Sequence, residues 1–188
     1  MNTLYPIFVK ADQLQFLIVG GGFVALEKLE FLFKSSPNAQ VTLVAPFIRE
    51  ETLAFIQNKS VKIIVKKYRR RFLRNKHIVV ATTDVNEVNL KVHSDCQKRN
   101  LLVNVADTPD ICDFYMGGIV TKGNLKIAIS TNGKSPTVAK RLRQWLEAVL
   151  PNEIDDLLET LRQYRKTLKG DFDYKVKAMN EVTKNLIK

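Results

Sequence analysis

The chain has 188 residues, 45% of them hydrophobic and 26% charged, a balance that excludes intrinsic disorder and allows one domain with a sizeable core plus a smaller appendage. Thirty Lys and Arg against nineteen Asp and Glu give a formal charge of +11, which points to an anionic partner. No apolar run is long enough to cross a bilayer, and residues 14–19 are too short for a signal core and follow Lys10 and Asp12 rather than a basic leader, so a cytoplasmic protein is expected.

Residues 15–19 read as a short buried strand, apolar and running directly into Gly20, Gly21 and Gly22. A helix follows, because Ala25, Leu29, Leu32 and Phe33 recur on one face until Ser35, Ser36, Pro37 and Asn38 break the pattern. Residues 41–44 make a second strand stopped by Pro46, a brief helix covers 50–57, and 61–65 is a third strand. Residues 77–81 form a fourth buried strand. After it, Asp84 and Glu87 read as an Asp-x-x-Glu capping box for a helix with Val85, Val88 and Val92 on one side. Residues 101–105 are the fifth strand. This alternation of strand and helix predicts a parallel sheet with crossover helices over residues 1–112.

The pattern then changes. Residues 119–122 and 125–130 are two strands joined by Gly123-Asn124, a hairpin signal. Ser135 caps a helix with Pro136 at its first position, and Val138, Leu142, Trp145, Leu146 and Val149 form an apolar stripe that ends at Pro151. A hairpin and one helix bury too little surface alone, so 113–150 is read as the dimerisation region of a homodimer. In 151–188, Ile154, Leu157, Leu158 and Leu161 mark a helix closed by Gly170, and 176–186 predicts another. The expected fold class is α/β: a Rossmann-type parallel sheet, a small hairpin-plus-helix region, and a C-terminal helical segment.

Gly20 to Ala25 has the form Gly-x-Gly-x-x-Ala between a predicted strand and a predicted helix. Gly20 permits the tight turn, Gly22 lets the backbone approach a pyrophosphate, and Ala25 lets the helix pack closely on the strand. The phosphates would sit on unpaired amides at the positive end of the helix. A plain tight turn is the competing reading, and placement in the first strand–helix unit favours the dinucleotide. The second strand lacks the acidic residue that would take the adenosine ribose, since Val44 is followed by Ala45, Pro46 and Phe47. NAD versus NADP is open on the residues, with Arg49 close enough in sequence to help the latter.

Four segments carry a resemblance. They are Tyr5-Pro6-Ile7-Phe8, the glycine turn from Val19 to Ala25, Asn104-Val105-Ala106-Asp107-Thr108-Pro109, and Ser130-Thr131-Asn132-Gly133-Lys134-Ser135-Pro136. In order and spacing over residues 4–150 the chain resembles the precorrin-2 dehydrogenase and sirohydrochlorin ferrochelatase family, the module that also opens bifunctional siroheme synthases. The resemblance implies NAD-dependent oxidation of precorrin-2 to sirohydrochlorin, and iron insertion by some members makes ferrous iron a second candidate substrate. It implies Asp107 as the catalytic aspartate and Phe23, Val24, Pro46 and Phe47 as dinucleotide contacts beside Gly20 and Gly22. Thr82 and Thr83, after the fourth strand, are counted with them. The fused methyltransferase of the bifunctional enzymes is not expected. The chain departs from the family at Gly117, usually proline, at Phe23, often polar, and in the basic run 66–71.

On the residues alone, Asp107 at the carboxyl edge of the sheet is either a proton acceptor for hydride transfer or half of an Asx turn with Pro109. The resemblance selects catalysis. Asn132, Gly133, Lys134 and Ser135 form a loop entering a helix, so their amides suit a carboxylate, and Lys140 and Arg141 on that helix suit a polycarboxylate tetrapyrrole. A solvated helix face and an ordinary cap are the bland alternatives. The basic run 66–71 brings Tyr68 and Phe72 but no stacking platform, so it is read as a solvated loop and no nucleic-acid partner is expected. His77 and His93 stand outside any ligand cluster, Cys96 and Cys112 read as free thiols, and no metal site is expected. A dinucleotide-sensing Rossmann module without chemistry is the competing function.

Overall fold

The computed structural model describes residues 2–185. Strands β1 (Gln15–Val19), β2 (Gln40–Ala45), β3 (Val61–Val65), β4 (Ile78–Ala81) and β5 (Leu102–Val105) form one parallel sheet in the order β3-β2-β1-β4-β5. Helices α1 (Phe23–Ser35), α2 (Glu50–Ile56) and α3 (Asn86–Gln97) lie between them in sequence. The chain winds outward from β1 to β3, then crosses to the other side of β1 to place β4. Strand order therefore reverses between β1 and β4, and the carboxyl ends at such a reversal are where open sheets of this kind bind ligands.

Side chains alternate across a strand, so β1 feeds two cores. Phe16 and Ile18 pack with Ala25, Leu29, Leu32 and Phe33 of α1, the four residues that carried the helical periodicity. Leu17 and Val19 pack on the opposite face with Val79, Val103, Val92 and Cys96. A central strand covered on both faces has no polar side, which is why 16–19 reads as a continuous apolar run. His77 stands outside β4, yet its N–H donates to the Gln15 carbonyl and its Nδ1 accepts from the Gln15 N–H at 2.9 Å each.

The expected capping box does not form. Val85 is the N-cap of α3, with no side-chain cap bond. Thr83 and Asn89 organise this entry instead. The Thr83 N–H and hydroxyl donate to Asn89 Oδ1 at 3.2 and 2.8 Å, and Asn89 Nδ2 donates back to the Thr83 carbonyl at 2.8 Å. A buried amide can both accept and donate, which neither Asp84 nor Glu87 can do when ionised.

Proximity along the backbone divides the chain into a unit of residues up to 116 with 132–134, and a second of 117–131 with 135 onward. The second holds the antiparallel hairpin β6 (Gly118–Lys122) and β7 (Leu125–Ile129), then α4 (Pro136–Val149), α5 (Ile154–Thr167) and α6 (Phe172–Thr183). Gly123 turns the hairpin at φ +53°, and the Asp155 carboxylate of α5 accepts from both the backbone N–H and the side chain of Asn124. Gly117 has no room for a side chain, since a Cβ would lie 2.3 Å from the Ile129 carbonyl oxygen. That accounts for glycine where the resembling family usually has proline. Helix α6 begins at Phe172, four residues earlier than expected, because Asp171 caps it by accepting from the Tyr174 N–H at 2.8 Å. The expected end of that helix, Leu186, lies outside the described residues. Among those described, no helix is long and apolar enough to cross a membrane.

Candidate dinucleotide site

Gly20 leaves β1 at φ +126°, a conformation essentially reserved for glycine. A Cβ there would lie 2.5 Å from Thr82 Oγ1 and 2.9 Å from the Thr82 carbonyl. Thr82 is buried, and both its hydroxyl and its N–H donate to the Val19 carbonyl, at 3.0 and 2.8 Å. It is the wall against which the turn is built. Gly21 is equally confined, since a Cβ would meet the Phe47 carbonyl oxygen at 2.4 Å, and its own carbonyl accepts from the Arg49 N–H at 3.0 Å.

Gly22 differs from both. It is the N-cap of α1 at φ −87° and ψ −166°, and a Cβ on it would meet nothing within 4 Å. No side chain caps α1, so its first amides are left to an outside acceptor. Open space bounded by glycine and an uncapped 13-residue helix, at the reversal of strand order, fits a pyrophosphate. Phe23 and Phe47 flank this turn with 60% and 72% of their surface exposed, enough apolar area to receive a base or sugar face. Pro46 is also exposed, and Val24 is half-buried. Thr83, tied to Asn89, is spent on the entry to α3.

Arg49 ties the end of β2 to this turn. Its guanidinium lies 3.8 Å from the Phe23 ring centroid, and its Nε and Nη2 both donate to the Glu51 carboxylate at 3.2 Å. Those hydrogen bonds hold Glu51 below the usual carboxylate range.

Asp107 occupies the same edge of the sheet. Val19 pairs with Ala81, and Ala81 with Val105, so Gly20 and the Asp107 turn leave the sheet two strands apart, roughly 10 Å at the usual strand spacing. Asp107 sits at φ +59°, exposed, in a turn closed by the backbone. The Thr108 N–H donates to the Val105 carbonyl, and Cys112 Sγ accepts from the Val105 N–H at 3.2 Å and lies 3.5 Å from Asn104 Nδ2. Burial and the Asp113 carboxylate push the Cys112 thiol up, so it stays protonated and can donate to the Val105 or Thr108 carbonyl. The Asp107 carboxylate joins none of these bonds. The Asx turn weighed above is not formed, because Pro109 has no N–H to give.

The 132–134 loop lies beside this turn, for a Cβ on Gly133 would meet Pro109 Cβ at 4.0 Å. Asn132 and Gly133 are both left-handed, at φ +55° and +74°, and Lys134 is exposed. Ser135 belongs to the second unit, where its hydroxyl caps α4 by accepting from the Val138 N–H at 3.2 Å. Lys140 and Arg141 are exposed on α4, with Arg141 donating to Gln144. Among the described residues no three His, Cys, Asp or Glu side chains gather as a metal site.

The family model described as "Putative NAD(P)-binding" matches residues 7–118, more than half of the chain. The chain belongs to this NAD(P)-binding family. A second model, described as the central part of a sirohaem biosynthesis protein, matches residues 122–148 of this family member. Its relatives include the siroheme synthase of Psychrobacter arcticus, 37% identical over 90% of this chain and 30% of the relative. The siroheme synthase of Ruthia magnifica is 33% identical over 92% of this chain and 36% of its own length. The chain thus spans about a third of the length of these relatives. Among solved structures, the precorrin-2 dehydrogenase SirC superposes with a TM-score of 0.73 at 23% identity, covering 95% of this chain and 89% of that one, and shares the fold.

The residue types at Gly20, Gly22 and Asp107 carried a recognisable pattern. The parts played by Thr82, Asn104 and Cys112 did not, because Thr82 acts through a contact with a strand end distant in sequence and the other two through the folding of the turn after β5 back on its own strand. For Cys112 the sole signal was its place a few residues after an Asn-Val-x-Asp segment.

Proposed function

We propose that this chain is an NAD-dependent dehydrogenase that oxidises precorrin-2 to sirohydrochlorin. The observation that carries the reading is the pairing, on one sheet edge, of an uncapped glycine-lined helix start with a carboxylate that no donor among the described residues occupies. The named activities of the siroheme synthase relatives and of the superposing dehydrogenase support the substrate. When bound, NAD supplies the hydride acceptor.

The residues of the chain supply the rest. Asp107 accepts the proton that the substrate carbon loses as its hydride departs, and the Cys112 and Asn104 contacts hold the turn that presents it. Gly20, Gly21 and Thr82 fix the phosphate-binding turn, with Phe23, Val24, Pro46 and Phe47 lining the dinucleotide. Asn132, Gly133 and Lys134, beside the Asp107 turn, receive carboxylates of the tetrapyrrole, and the net charge of +11 draws such a polyanion in. Val138, Leu142, Trp145 and Val149 on α4 are 42% to 59% exposed, and a second copy of the chain covers them in a cytoplasmic homodimer.

The test is an anaerobic assay of the full chain with precorrin-2 and NAD, following reduced nicotinamide and the product chromophore. Wild type should turn over, and Asp107→Ala should lose roughly 10²-fold or more in kcat while its dinucleotide affinity stays within about twofold. Absence of turnover in folded wild type that binds NAD refutes the dehydrogenase reading, whereas full activity in Asp107→Ala refutes the proton-acceptor role alone.

A further inference from the structure

The carboxyl end of β2 presents an oddity. A dinucleotide site of this type places an acidic side chain there for the adenosine ribose hydroxyls, or an arginine for a 2′-phosphate. The strand ends at Ala45 and is followed by Pro46 and Phe47, and none of the three offers either. The next residues offer both at once, held together.

Arg49 is anchored at three points. Its N–H donates to the Gly21 carbonyl, its guanidinium stands over the ring of Phe23, the first residue of α1, at 3.8 Å from the centroid, and Glu51 takes its Nε and Nη2 in a two-pronged bond. The pair therefore stands beside the glycine turn on the β2 side, where the ribose is held in this fold. The geometry fixes the roles. With Glu51 on its Nε and Nη2 edge, Arg49 has one of its two forks taken and its charge compensated by a carboxylate, so it favours an added phosphate less than a free arginine would. Glu51, about half exposed, keeps acceptor capacity on a carboxylate that Arg49 holds ionised.

We infer that Glu51, positioned by Arg49 on the Phe23 ring, replaces the missing acidic residue of β2 and makes the site selective for NAD over NADP. It accepts from the ribose 2′-hydroxyl and repels a 2′-phosphate, while offsetting the charge of the arginine that would otherwise attract that phosphate. This rests on the reading that the glycine turn holds a nicotinamide dinucleotide. Glu50, its neighbour in sequence, forms no ion pair with the Arg49 guanidinium, which is paired with Glu51, and takes no part.

Calorimetry of the full chain with NAD and with NADP tests it, without recourse to activity. Wild type should bind NAD at least tenfold more tightly than NADP. Glu51→Gln keeps the shape and removes the charge, and should cut that preference tenfold or more, chiefly by strengthening NADP. Adding Arg49→Ala to Glu51→Gln should abolish the gain in NADP affinity, and Glu50→Gln should leave the preference within about twofold of wild type. A wild type that binds NAD, with the preference unchanged in Glu51→Gln, overturns this inference and leaves the dinucleotide site standing. A folded wild type that binds neither dinucleotide overturns both.

Discussion

Gly22→Asp separates binding from folding. At φ −87° and ψ −166° the position is ordinary extended backbone, so aspartate enters without strain. Its Cβ meets nothing within 4 Å. The residue is also the N-cap of an uncapped helix, where aspartate is better than or equal to glycine by a few tenths of a kcal/mol. The folded state should be as stable as wild type or slightly more so. Binding should behave oppositely, because the space the new side chain fills is the space a pyrophosphate needs. A carboxylate at about 4 Å from one phosphate charge costs about 4 kcal/mol at an effective dielectric of about 20, close to a 10³-fold loss of affinity before any steric overlap. Urea denaturation measures the first quantity and calorimetry with NAD the second. Unchanged affinity in a folded Gly22→Asp chain would refute the placement of the phosphates at this turn. A large loss of stability would instead refute the claim that Gly22 faces open space.

The neighbouring glycine gives the reverse result: Gly20→Ala puts a Cβ 2.5 Å from Thr82 Oγ1 at φ +126°, so it should destabilise the chain by about 2–4 kcal/mol, read as a lower urea midpoint. Cys96 makes stability fall in alkali. Burial, then the charges of Asp95 and Asp113, push its thiol from 9.0 to about 12, so the folded chain keeps a proton that the unfolded chain has lost across that window. The contribution is whole below pH 9 and drops by up to about 1.4 kcal/mol per pH unit as pH rises towards 12. Urea midpoints measured from pH 8 upward should show a shallower fall for Cys96→Ala than for wild type, and equal slopes would discount the thiol. On α4, Trp145 is 59% exposed, so Trp145→Asp should leave the monomer folded and shift a sedimenting dimer to monomer at micromolar concentration. A monomeric wild type would remove the dimer.

Much of the first unit was legible because its signals are local. Residues 15–19 and 61–65 are strands to the residue, and Ala25, Leu29, Leu32 and Phe33 are the face that α1 buries. Such patterns depend on neighbours three or four positions away, or on a strand covered on both faces. The readings that failed were those that rested on residue spacing while the bonds formed between other groups nearby. Asp84 and Glu87 had the spacing of a capping box, but Thr83 and Asn89 closed the same entry with buried hydrogen bonds that spacing does not advertise. Asp171 was passed over as a cap because the apolar periodicity of the last helix is weak at its start, while the bond to the Tyr174 N–H fixes it.

The candidate site divides along the same line. Glycines and a motif aspartate can be read from type and order, since backbone freedom and charge belong to the residue itself. The motif also gave Gly20 the turn and Gly22 the open approach, but what confines each of the three glycines cannot be read that way. One would press on Thr82, one on the Phe47 carbonyl, and one on nothing. That difference comes from where β4 and the loop after β2 end relative to β1, and it assigns the three glycines separate tasks. Two of them preserve the turn and the third leaves room beside it. The same reasoning applies to Asp107, whose left-handed backbone and unpartnered carboxylate are held by bonds among Val105, Thr108 and Cys112 rather than by its own side chain. A residue kept in an uncommon conformation by its surroundings, with its charged group unused by them, has that group available to something outside the chain.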